Sequence, residues 1–156
     1  MDKFSRKIIQ ETLRFLSNKG YKTITEFALP NKKRVDIIAL NSKKEILIIE
    51  VKSKNNDFKN DKKWKKYLNY CNYFYFAFNK YPKNLKIYEN VGIIKINNKK
   101  NEIKKKALYI KMPENKRNNI IFNFALSAAS KFHRLIDPNF NNKKNNSIYI
   151  YKKKYR

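Results

Sequence analysis

Two short apolar runs, VDIIAL (residues 35–40) and EILIIEVK (residues 45–52), flank the polar stretch 41–44. Each is shorter than an ordinary helix and rich in β-branched residues, so the pair reads as a β-hairpin. No other feature of the chain constrains its fold as tightly, because a hairpin also fixes a register. With residues 41–45 as the loop, Leu40 faces Ile46 and Ile38 faces Ile48. Continuing that register sets Asp36 opposite Glu50. Glu50 and Lys52 share one face, while Leu47, Ile49 and Val51 point the other way. Two carboxylates and an ammonium therefore lie on strands that should exclude them, since an unpaired buried charge is costly.

Directly opposed strand residues have Cβ atoms about 4.5–5.5 Å apart. Two carboxylates at that separation repel unless a proton or a cation lies between them. An all-oxygen donor set with room for water and a substrate phosphate suits Mg²⁺ (or Mn²⁺). Lys52, two residues beyond Glu50, can then orient or activate a water. The reaction class that fits is metal-assisted hydrolysis of a phosphodiester. The alternative from the same residues is an ordinary ion pair between Lys52 and one acid. Only 12 residues of the chain are acidic against 38 basic, and placing two of the 12 on apolar strands is unlike random surface usage.

The rest of the chain supplies layers for this hairpin. Residues 5–19 show a helical stripe (Ile8, Ile9, Leu13, Phe15, Leu16) that ends at Gly20. YKTITEFAL (21–29) alternates as a first strand. The spacing of Phe58, Trp64, Tyr67, Leu68 and Cys71 predicts a helix over 57–70. YFYFAF (73–78) and VGIIKI (91–96) read as the fourth and fifth strands, and a last helix is expected over 118–135, stopped before Pro138. The fold class is α/β, a single domain over residues 1–138 with a mixed central sheet flanked by helices. Residues 139–156 form a basic, Asn- and Lys-rich C-terminal tail, disordered or carrying one late strand.

The net charge of +26 points to a polyanionic partner. However, 32 lysines beside six arginines, with many Asn, Ile, Tyr and Phe, is also what an AT-rich genome accumulates. The charge therefore supports nucleic-acid binding without deciding it. No apolar run is long enough for a transmembrane helix, and the charged N-terminus does not resemble a signal peptide. Cys71 is the single cysteine, which excludes an intrachain disulfide and suits a reducing cytoplasm. Two glycines in the whole chain exclude a Gly-rich phosphate loop. His133, the single histidine, is expected to pack or face solvent on the last helix.

With these residues placed, VDIIAL…IIEVKSK resembles the core motif of the PD-(D/E)XK nuclease superfamily. The longer block EVKSKNNDFKNDKKWKKYLNYCNYFYFAF resembles the MmcB family of DNA repair proteins, as do TEFALPNKKRVDIIAL upstream and NFALSAASKFHRLIDP near the end. The resemblance runs from about Gly20 to Pro138. It implies a restriction-endonuclease-like core acting in DNA repair, with DNA as the partner, repair or translesion-synthesis proteins as further partners, and a cytoplasmic, nucleoid-associated location. Asp36 and Glu50 become the metal ligands, Lys52 the motif lysine and Glu26 an additional acid. Glu11 on the first helix is the other candidate for that role. Val35 replaces the proline that names the superfamily, Lys54 stands where a serine is frequent, and Asn72 where an aspartate is usual.

Among neighbouring residues, Arg34 is a candidate phosphate contact. Asp61 or Lys63 could face the mouth of the site and touch the DNA backbone, whereas Asp57 reads as a helix N-cap and Trp64 as core packing. Three functions compete: a Mg²⁺-dependent DNA repair endonuclease, a non-catalytic nucleic-acid-binding repair factor on the same fold, and a small basic RNA- or ribosome-associated protein.

Overall fold

The structure is a computed structural model that describes residues 3–52, 63–80, 88–97 and 100–139. Helix α1 (Lys3–Ser17) leads into three consecutive antiparallel strands, β1 (Lys22–Ala28), β2 (Arg34–Leu40) and β3 (Ile46–Lys52). Two 3₁₀ turns, Lys63–Lys66 and Leu68–Tyr70, precede β4 (Tyr73–Phe78). Strands β5 (Val91–Lys95) and β6 (Glu102–Lys105) follow, and helix α2 (Glu114–Ile136) closes the described chain. The six strands form one sheet in sequence order. β4 joins β3 in parallel, β5 joins β4 in parallel, and β6 returns antiparallel along β5.

Both faces of the sheet are covered, which is why its central strands are apolar on both sides. On one face α1 lays Ile8, Ile9 and Leu16 over Ile37, Ala39, Leu47, Ile49, Tyr75 and Ala77. On the other, Trp64 of the first 3₁₀ turn, Tyr67 between the two turns and Ile120 of α2 pack with Ile38, Ile46, Ile48, Phe74, Phe76 and Phe78. The expected α/β domain with a mixed sheet between helices is the one observed.

The hairpin register is also as expected, with Leu40 opposite Ile46 and Ile38 opposite Ile48. Its loop is tied by Asn41, whose Oδ1 accepts from the N–H groups of Lys43 and Glu45 (3.0 Å each), while Lys44 takes a left-handed φ of +60°. Gly20, with φ +84°, ends α1 as its position suggests.

Three expectations change. The segment after β3, predicted as one helix over 57–70, contains the two 3₁₀ turns at 63–70, and its first part lies outside the described residues. Trp64, Tyr67 and Tyr70 recur every third residue, the repeat of a 3₁₀ rather than an α-helix. β6 carries a single apolar residue, Ile103, and pairs on one side only, so alternation gave no sign of it. α2 starts at Glu114, four residues before the expected residue 118 and directly after Pro113. The tail beyond residue 139 lies outside the described residues.

One irregularity positions the site. Along a regular strand, residues three apart face opposite sides. Here Val35 and Ile38 belong to the same core layer, as do Ile24 and Phe27 on the neighbouring strand. Both strands therefore switch faces at the same level, between Val35 and Ile37 and between Thr25 and Phe27. The residues at the switch are Asp36 and Glu26, and Glu26 holds a left-handed φ of +51°. Non-glycine residues in that region are held there by their surroundings at a cost of about 1–3 kcal/mol.

Candidate active site

The backbone ladder between β2 and β3 ends at Ile37 opposite Ile49. Beyond it, carboxylates take over the inter-strand hydrogen bonds. Asp36 Oδ2 accepts from the Val51 N–H at 2.8 Å, and Glu50 Oε1 accepts from the Asp36 N–H at 3.2 Å. The register expectation that Asp36 meets Glu50 thus holds through side chains, one pair past the last regular bridge. Each acid reaches across to the other strand, and both carboxylates sit where the regular backbone ladder has ended.

Glu50 and Lys52 are both buried, at 7% and 9% exposure. They continue the face set by Ile46 and Ile48, under the 3₁₀ turns and α2. The Lys52 ammonium lies over the Phe76 ring, 5.7 Å from its centroid. Phe76 is itself paired with Glu50 across the parallel β3–β4 ladder. An aromatic face at that range attracts a cation and excludes water beneath it. Phe76 is a member of the site that sequence reasoning missed: YFYFAF announced a buried strand, but nothing in the residues fixed its parallel register against β3.

Burial raises the Asp36 carboxyl above its ordinary value, and the nearby Glu26 charge adds to the rise. The Val51 N–H and the Lys52 and Arg34 charges act in the opposite direction. Glu26 sits across β1 from Asp36, half-exposed, with Arg34 Nη1 3.8 Å from its Oε1. Glu26, Asp36 and Glu50 thus occupy one level on three adjacent strands. Tyr67 Oη donates to the Arg34 carbonyl at 3.5 Å, joining the 3₁₀ layer to the start of β2.

Other candidates fall elsewhere. Glu11 lies on α1, over the opposite face of the sheet, ion-paired to Arg14 at 2.6 Å. Of the two additional acids weighed, Glu26 is the one beside the hairpin. Lys63 is exposed on the first 3₁₀ turn, in the layer that covers the Glu50 face, and Trp64 is core, stacked on Phe74. Asp57 and Asp61 lie outside the described residues. His133 is exposed on α2, and Cys71 is a fully buried thiol whose pKa burial drives far upward. Asn72, also buried, is a clamp. Its Oδ1 accepts from the Ile46 N–H (2.9 Å) and its Nδ2 donates to the Ile110 carbonyl (3.1 Å).

Among the described residues, no cluster of three or more His, Cys, Asp or Glu side chains is arranged as a metal cage, and no helix is long and apolar enough to cross a membrane. The donor set at the strand ends is nevertheless the all-oxygen kind that a hard cation takes. A cation there would also relieve the tension that burial and Glu26 impose on Asp36.

The fold and site define an α/β domain whose central strands carry a carboxylate pair and a buried lysine. The chain belongs to the MmcB-like family of DNA repair proteins, whose pattern matches residues 3–139. The family expected from the motifs is therefore the family found, and membership places the chain among proteins of DNA repair. The fold is also similar to a solved structure, the SPO1766 protein of unknown function from Silicibacter pomeroyi. The two are 30% identical and superpose with a TM-score of 0.82, over 90% of this chain and 96% of the other. No curated protein matches.

Proposed function

We propose that this protein is a divalent-metal-dependent DNA repair endonuclease of the PD-(D/E)XK kind, hydrolysing phosphodiester bonds with Mg²⁺ or Mn²⁺. The observation that carries this reading is the reciprocal placement of Asp36 and Glu50 where the β2–β3 ladder has ended, with Lys52 buried beside them. Asp36 and Glu50 would hold the ion through carboxylate oxygens, with Glu26 as the additional acid. The ion, when bound, supplies Lewis-acid activation of the scissile phosphate and of a water. Lys52, fixed over Phe76, orients that water and stabilises negative charge developing on the phosphoryl oxygens. Arg34 and Lys63, both exposed, are the phosphate contacts of this reading.

The test uses purified protein with nicked, flapped, gapped and single-stranded DNA in Mg²⁺ or Mn²⁺. Cleavage that is lost in Asp36→Ala and Lys52→Ala, with salt-sensitive binding largely retained, supports the nuclease. Absence of cleavage on every substrate counts against it.

A second reading has its own observation. Both carboxylates already serve the fold as inter-strand acceptors, a role that needs no metal. A non-catalytic nucleic-acid-binding repair factor would keep them for that reason. Repair in cells that survives both Asp36→Ala and Lys52→Ala would select this reading.

A further inference from the structure

α2 buries one face and leaves another bare. Ile120, Ile121, Phe124 and Ala128 pack into the core. On the flank beside that face, at 3.6 residues per turn, Phe122, Ala125, Ala129, Phe132 and Ile136 fall within one narrow arc. All five are exposed, Phe122 by 52%, Phe132 by 59% and Ile136 by 66%. Isolated exposed apolar residues are ordinary, but a continuous stripe along a helix marks an interaction surface.

The order of residues in the stripe says what fits it. Phe122 and Phe132 are equidistant from residue 127, and so are Ala125 and Ala129. The pattern is large, small, small, large, and it reads the same in both directions. A two-fold axis through the level of residue 127 sets each phenylalanine of one helix near its counterpart on an antiparallel second helix. It also sets alanine against alanine, where small side chains permit the 8–10 Å approach of packed helices. We propose that the outward face of α2 is the interface of a two-fold symmetric homodimer.

Area and charge are compatible with this. Each half-exposed phenylalanine offers about 100 Å². With Ile136 and the alanines the stripe comes to on the order of 500 Å² per copy, so a pair reaches the roughly 1,000 Å² that specific association requires. The basic residues of α2, Lys116, Arg117, Lys131 and Arg134, lie off the arc, and the titratable side chains at its edges are Glu114 and His133. The net charge of +26 repels a second copy, but that repulsion is screened beyond about 8 Å at physiological salt. The dimer should therefore strengthen as salt rises, opposite to any association bridged by nucleic acid.

The experiment is sedimentation equilibrium on nuclease-treated, full-length protein at about 0.15 M and about 0.5 M salt. A concentration-dependent dimer that tightens with salt is expected. Ala129→Glu should weaken it at least about tenfold while leaving the circular dichroism spectrum of the folded protein unchanged. Ala125→Cys mixed with Ala129→Cys should form an intermolecular disulfide faster than either variant alone, since the native Cys71 is buried. Any of four results overturns the proposal: a monomer up to about 100 µM, association unchanged in Ala129→Glu, no advantage for the mixed cysteine pair, or association that vanishes on adding salt.

Discussion

Replacing Asp36 by Asn should stabilise the folded protein at neutral pH and, under the proposed nuclease reading, abolish metal-dependent cleavage. Asp36 is partly buried, and burial is the largest influence on its carboxyl, raising its pKa above the ordinary 3.8. The native state therefore holds this proton more tightly than the unfolded chain does. By linkage, the carboxyl favours folding most below pH 3.8, and this contribution is lost as pH rises from 3.8 through the raised value. Above the raised value the ionised group lies on the unfavourable side. Asn has nearly the same volume and keeps a carbonyl oxygen for the Val51 N–H, so the substitution removes the charge and leaves the 2.8 Å hydrogen bond in place. A gain of about 1 kcal/mol is reasonable for a single stabilising change, or about 2–4 °C in Tm for a domain of this size. Thermal melts of both proteins from about pH 4 to about pH 8 provide the assay, and the gain should shrink toward acid. A variant that melts below the wild type at neutral pH, by a margin independent of pH, would refute the reasoning. In that case the Lys52 and Arg34 charges outweigh burial.

Other outcomes follow from the same geometry. Under the proposed nuclease reading, Lys52→Ala should lower the cleavage rate on the order of 10²–10⁴-fold, read in single-turnover assays, with DNA affinity little changed. Asn72→Asp should cost about 1–3 kcal/mol, because a carboxylate cannot donate to the Ile110 carbonyl 3.1 Å away; denaturant melts that match the wild type would count against the clamp. Gly92→Ala should lower Tm by several degrees, since a Cβ there would lie 2.2 Å from the Tyr75 ring and 2.7 Å from the Ala107 nitrogen, an overpacking cost of about 1–3 kcal/mol or more.

The hairpin was legible in the sequence because short β-branched apolar runs, a polar loop and an interior register are all local properties. Helix α1 and strand β4 were legible for the same reason. The parts that were not legible depend on partners distant in sequence or on backbone conformation. The parallel register that puts Phe76 under Lys52 depends on a crossover, and no residue encodes it locally. The coupled face switch at Glu26 and Asp36 was invisible because glutamate is not a residue that signals a left-handed φ. Asp36 and Glu50 could be placed as neighbours from the register. Their exchange of hydrogen bonds, each acid with the other's strand, could not.

The location of the site residues has a kinetic consequence. Glu26, Arg34, Asp36, Glu50 and Lys52 all lie in the β1–β2–β3 meander, residues 22–52. Meanders close through short loops, and such local contacts form early and fast. The acids can therefore be brought level with one another before the rest of the sheet exists. The seat of Lys52 cannot form so early, because Phe76 arrives only when β4 docks in parallel across a non-local connection. Assembly of this site thus divides into an early event that gathers the carboxylates and a later one that seats the lysine over its ring. A refolding experiment that follows Trp64, stacked on Phe74 of β4, reports on the later event.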